Sequence, residues 1–205
     1  VMNVEYSSLD TKLTYDGIKQ EIYKIDPDTE LVGAHYQLVN GLVTSAEYYA
    51  YSDYLLIMTE YADKSCLNRY SYADFEAHMQ IETTEEVSYN SFREPTLVVT
   101  SKYAIPYTGY LSEQITAEYL YNDDHKLIEK KTTHAFYDDY ELIDNRVTVE
   151  KYHYNNAGEL VRKESYVEGE ELKTGINIEE HVFNDNGIEI QSFTYNSLDP
   201  SSKLY

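Results

Sequence analysis

The residues able to do chemistry are scattered along this chain. His35, His78, His125, His134, His153 and His181 each stand alone in the sequence. On neighbouring strands they read as surface or cross-strand residues ahead of any metal site, whose ligands would have to converge from separate elements. Cys66, with Arg69 nearby, has the residue types of an activated thiol, but beside Leu67 it reads as a small buried side chain. The eight glycines form no GxGxxG or GxxxxGK[ST] phosphate loop, and HExxH, GxSxG and EF-hand spacings are absent. Carboxylates are so plentiful, 37 Asp and Glu, that pairing two of them carries little information. A glycosidase would need two carboxylates about 5–10 Å apart in a cleft, usually with aromatic platforms, and the chain has no Trp. Asp138-Asp139, with Glu141 and Asp144, makes a carboxylate-dense turn. A solvated hairpin tip accounts for it more simply than a calcium loop. No catalytic residue, cofactor or metal is therefore expected.

Charge points to the kind of partner. Sixteen Lys and Arg against 37 Asp and Glu give a formal charge of −21 over 205 residues, and so a negative potential over much of a folded surface. Nucleic acid is excluded as an expected ligand, since phosphate binding needs cations that displace counterions. Anionic membrane surfaces are disfavoured for the same reason, and no uncharged apolar run is long enough to cross a bilayer. A basic protein is the favoured partner. The 42% apolar content is too high for a disordered acidic tail, and the single Cys excludes an intramolecular disulfide framework. Val1 reads either as an extra residue ahead of a start at Met2 or as the first residue left after a leader was trimmed. The cytoplasm is the expected location, with the cell exterior as the alternative. Composition does not set an oligomeric state.

The elements that must position these residues are strands. Period-two alternation dominates, and Tyr, Thr, Val and Ile interleave with Glu and Lys, as in Arg146–Tyr154. Ala73–Ile81 places Phe75, Ala77, Met79 and Ile81 on one face and Asp74, Glu76, His78 and Gln80 on the other. It reads as a half-buried strand, although Ser71 could instead cap a short helix. Tyr54–Met58 and Thr96–Thr100 read as central strands covered on both faces. Turn signals recur at Asp16-Gly17, Asp26-Pro27-Asp28, Asn40-Gly41, Asn122-Asp123-Asp124, Asn156-Ala157-Gly158, Glu168-Gly169 and Asn186-Gly187. The expected fold is all-β: an antiparallel meander of hairpins forming an extended, curved or partly barrel-like sheet, with little or no helix. One domain with two lobes is expected, an irregular lobe over 1–105 and a hairpin-repeat lobe over 106–205.

The repeat consists of three cassettes: Tyr121-Asn122-Asp123-Asp124-His125-Lys126-Leu127, Tyr154-Asn155-Asn156-Ala157-Gly158-Glu159-Leu160 and Phe183-Asn184-Asp185-Asn186-Gly187-Ile188. Each is an aromatic, an Asn, a turn and a returning aliphatic strand, which makes one hairpin per unit. Residues 115–197 resemble the tyrosine–aspartate repeats of RHS and related bacterial surface and toxin proteins. They depart from that pattern in having Asn after the aromatic, Glu159 or Ile188 where Arg is usual, and a longer spacing. The resemblance implies a β-meander scaffold and no catalytic activity.

Together these features lead to the expectation of a non-enzymatic acidic protein that docks on and neutralises a basic protein partner, in the manner of an immunity protein or inhibitor. A secreted or lipid-anchored surface domain is the alternative, and a β-barrel ligand carrier or enzyme comes third. The compact carboxylate groups Asp138, Asp139 and Glu141, and Glu168, Glu170 and Glu171, are the expected partner-binding tips. The Tyr-rich run Tyr48, Tyr49 and Tyr51 is expected to supply rigid contact area.

Overall fold

Where short pleat-favouring runs are separated by tight turns, each run pairs with the next, because the turn leaves no other strand within reach. The computed structural model of the protein follows that rule. It describes residues 3–6, 10–15, 19–104, 110–139, 141–184 and 186–204, with side chains between 19 and 201. The Asp16-Gly17 turn, Asp185 and residues 105–109 lie outside the described residues, as do the two residues at the start of the chain.

The strands are β1 (Asn3–Tyr6), β2 (Asp10–Tyr15), β3 (Lys19–Ile25), β4 (Val32–Val39), β5 (Leu42–Ser52), β6 (Leu55–Ala62), β7 (Ile81–Tyr89), β8 (Pro95–Tyr103), β9 (Leu111–Tyr121), β10 (Leu127–Asp138), β11 (Glu141–Tyr154), β12 (Leu160–Val167), β13 (Asn177–Phe183), β14 (Glu189–Asn196) and β15 (Asp199–Leu204). Two one-turn helices, α1 (Tyr72–Phe75) and α2 (Glu171–Thr174), interrupt them. The hydrogen-bonded strand order is the sequence order. Strand accounts for 66% and helix for 5%, in an antiparallel meander that is not closed. The chain divides into two compact units: Val1–Glu94 with Val99–Glu113, and Pro95–Val98 with Gln114–Tyr205.

Unit 1 holds the packed core. The registers Ile22↔Tyr36 and Tyr36↔Ala46 align the inward positions of β3, β4 and β5. Segment 63–80, between β6 and β7, closes over them with Cys66 and Phe75, so that Tyr36, Val43 and Phe75 are fully buried. This segment corrects the strand expected over 73–81. Ser71 O accepts from Phe75 N at 2.9 Å, forming the single turn of α1, and β7 begins only at Ile81. The backbone is committed elsewhere: Val43 N donates to Tyr70 O at 3.0 Å and Asn68 N to Val43 O at 2.7 Å. Alternation here reflects the anchoring of Phe75 in a pocket. The two apolar runs are also less covered than expected, since Leu55–Met58 and Thr96–Thr100 are all half-buried. Tyr54 is a turn residue, 77% exposed, with Asp53 (φ 49°) and Tyr54 (φ 63°) forming the left-handed pair that joins β5 to β6.

Unit 2 has no comparable core. Among its described residues Ala117, Ala135, Val149 and Ile178 are the buried apolar ones, and long polar side chains shelter the rest of the sheet. Glu150 bridges Lys130 (3.8 Å) and Lys163 (2.5 Å) across three strands, Lys163 lies over the Tyr152 ring, and Lys151 lies over the Tyr166 ring.

The hairpins share one connecting loop. Asn122, Asn155 and Asn184 each accept two backbone N–H groups on the side-chain oxygen, and each backbone N–H donates to the carbonyl four residues on. The residue three after the Asn is left-handed: His125 (φ 61°), Gly158 (φ 83°) and Gly187 (φ 73°). Asn90 builds the same loop in unit 1, with Arg93 (φ 66°) in the left-handed position. The preceding Tyr donates its hydroxyl to a carbonyl of the neighbouring hairpin: Tyr89 to Leu56 O (2.8 Å), Tyr121 to Pro95 O (3.0 Å) and Tyr154 to Leu127 O (2.9 Å).

Candidate functional site

A difference in strand length shapes one end of unit 2. β10 and β11 stay paired down to Asp138↔Glu141, whereas β11 pairs with β12 only from Thr148↔Val167 onward. The last rung there is Glu168 N donating to Val147 O at 2.9 Å. Gly169, at φ +80°, then turns the chain away into α2. Residues 141–146 of β11 therefore project past β12, exposed and, among the described residues, paired on the β10 side alone. Within the projection the register shifts from Phe136↔Asp144 to Tyr137↔Leu142, which leaves Ile143 as a bulge residue. Leu142 (53%), Ile143 (65%) and, on α2, Leu172 (95%) are exposed.

The corner between the projection and the turn after β12 is an open groove of about 410 Å³. Asp144, Asn145, Arg146 and Val147 line one wall, and Val167, Glu168 and Glu170 the other. The sheet brings both predicted tips to this end of unit 2. Asp138 and Asp139 (φ 48°) sit at the exposed tip of the β10–β11 hairpin with Glu141. Glu168 is exposed on the groove rim, with Glu170 and Glu171 half-buried behind it. Asp144 adds a seventh carboxylate. The cations at this end are Arg146 in the groove, Lys173 on α2, and Lys131, whose Nζ lies 3.1 Å from Glu168 Oε2. The hydrogen bond to Glu168 holds the Lys131 ammonium above its ordinary value.

Tyr48, Tyr49 and Tyr51 belong to unit 1. Tyr48 meets Tyr36 edge to face at 5.8 Å, against the core, and burial pushes its phenol up. Tyr49 donates to Glu47 Oε2, while Tyr51 donates to Val32 O at 3.0 Å, fastening one hairpin to the preceding one. Sequence reasoning missed Arg146, Leu142, Ile143 and Leu172, because exposure of apolar residues follows from where β12 stops. No group of three or more His, Cys, Asp or Glu disposed to hold a metal occurs among the described residues. No described helix is long and apolar enough to cross a membrane.

These features define an all-β antiparallel meander with an acidic, partly apolar end on its second unit. In comparison with known proteins, no family model matches the chain and no curated protein matches it.

Proposed function

We propose that the protein is a non-enzymatic acidic binding protein, located in the cytoplasm, that docks on and neutralises a basic protein partner. One observation carries this reading. Seven carboxylates, Asp138, Asp139, Glu141, Asp144, Glu168, Glu170 and Glu171, gather at one end of unit 2 around exposed Leu142, Ile143 and Leu172. Charge at a rim steers encounter, and apolar area beside it retains what arrives. The net charge of −21 adds a field that draws cationic surfaces from a distance and repels nucleic acid.

The test is association with the basic protein recovered from the native lysate at low salt, followed by stopped flow. Association should slow steeply as ionic strength rises to about 0.15 M, where the screening length is about 8 Å. Lys at Asp138, Asp139, Glu141, Glu168, Glu170 and Glu171 should abolish capture, while Lys at six acidic strand positions elsewhere, an equal change of charge, should slow association and leave dissociation unchanged. Equal loss in both variants would show that net charge acts without the tips, and recovery of no basic partner at any salt would end the reading.

A further inference from the structure

The projecting part of β11 is an unfilled position in a sheet. In an antiparallel pair alternate residues of a strand point their N–H and C=O toward one neighbour and the residues between point theirs toward the other. The carbonyl of Val147 faces β12, since it accepts from Glu168, so Asn145, two residues on, directs its N–H and C=O to the same side. There β12 has ended and the groove begins: Asn145 lines it, with Val147 on one wall and Val167 and Glu168 opposite. An open strand edge of this kind is a template for another strand. The groove has the place and the direction that β12 would have had if Gly169 had not turned the chain away.

We propose that residues 141–146 of β11 receive an extended segment of the basic partner as an added strand, continuing the line of β12. The proposal rests on the reading of the protein as a binder of basic proteins and says how the binding is done. The occupant is a segment in which Lys or Arg alternates with aliphatic residues. Its cations meet Asp144 and Glu141 on one side and Glu168 and Glu170 on the other, and its aliphatic residues meet Leu142 and Ile143. Arg146 disfavours a cation directly opposite it and so selects the register. A second copy of this chain is a poor occupant, because edge-to-edge pairing would bring two sets of seven carboxylates together.

The probe is a peptide of about eight residues alternating Lys and Val, long enough to span six residues of strand at roughly 3.3 Å each. Its partner is the same peptide with alternate amides N-methylated, which keeps the charge and removes the ladder donors. The unaltered protein should bind the first about tenfold more tightly than the second, the worth of one or two backbone hydrogen bonds. The amide of Asn145 should become protected from hydrogen exchange. Asn145→Pro leaves the charge and the β10 side of the ladder intact, because the N–H it removes faces the groove, and it should erase the preference. Equal binding of both peptides overturns strand addition and leaves the charge-based reading standing. Failure of both to bind at low salt overturns that reading as well. A concentration-dependent dimer that Asn145→Pro abolishes would make the occupant a second copy and overturn the proposed one.

Discussion

At the scale of single residues, the four Asn loops set one backbone requirement against three residue types, Arg93, His125 and the glycines Gly158 and Gly187. The third residue after each Asn is left-handed, which costs an ordinary L-residue roughly 1–2 kcal/mol and glycine almost nothing. Gly158 and Gly187 meet the requirement, and Arg93, exposed at φ 66°, does so at a cost. Opposite signs are therefore expected. Gly158→Val should destabilise by at least about 1 kcal/mol through the backbone. It would also push away the Lys126 ammonium, which donates to Gly158 O and lies 5.1 Å from the centre of the Tyr154 ring. Arg93→Gly should stabilise by up to about 1 kcal/mol, the relief of strain less the extra chain entropy of glycine. Urea midpoints at constant slope check both. A loss of stability in Arg93→Gly would mean that the arginine side chain holds the loop in a way the backbone does not require.

At the scale of elements, what could be read from the sequence depended on how local the determining interaction is. Asn40-Gly41 forms its hairpin turn with φ 52° and 80°, as the dipeptide demands, and Asn122, Asn155 and Asn184 all close loops whose bonds lie within five residues. The Asn90 loop escaped notice because its left-handed residue is an arginine, although Asn90 and Glu94 repeat the spacing of Asn155 and Glu159 down to the side-chain bond between them. Segment 63–80 was illegible for the opposite reason: its conformation is set by partners far along the chain. Glu76 bonds both Lys24 and the Tyr36 hydroxyl, 52 and 40 residues away. The groove likewise depends on a difference in length between β11 and β12, which no single strand's pattern records. The Glu76 attachment gives a prediction in pH. The hydrogen bond from Lys24, opposed by burial and aided by Tyr36, holds the Glu76 carboxyl below its ordinary value. A depressed carboxyl contributes stability that is present above the unfolded value, about pH 4.5, and is lost as pH falls through the lowered folded value. The unaltered protein should therefore exceed Glu76→Gln in stability at neutral pH by under about 1 kcal/mol, since Lys24 and Glu76 are 35% and 48% exposed. That margin should vanish on acidification below about pH 4, as followed by urea unfolding. A margin independent of pH would assign the effect to packing.

At the scale of the whole molecule, two electrostatic terms respond to salt in opposite directions. Ion pairs hold unit 2 together, among them Lys130–Glu150–Lys163 and Arg162–Glu180 across strands and Arg162–Glu164 along β12, and screening weakens such pairs when they are exposed. Against them stands the mutual repulsion of 37 carboxylates offset by only 16 cations. Folding intensifies that repulsion, because it brings together charges that an expanded chain keeps apart. Each exposed pair is worth at most about 1 kcal/mol and acts over a few ångströms. The repulsion sums over every unpaired carboxylate within a screening length, about 30 Å at 0.01 M and 8 Å at 0.15 M. Excess charge should therefore prevail, and the melting temperature should rise between about 0.01 and 0.15 M sodium chloride. Over the same range, association with a basic partner should slow, because steering uses the field that destabilises the fold. Lys in place of the six tip carboxylates should flatten both dependences together, since the same charges produce them. Calorimetry and stopped flow on one salt series measure the two responses. A melting temperature that falls with salt would show that the ion pairs of the sheet, and not its excess negative charge, govern stability.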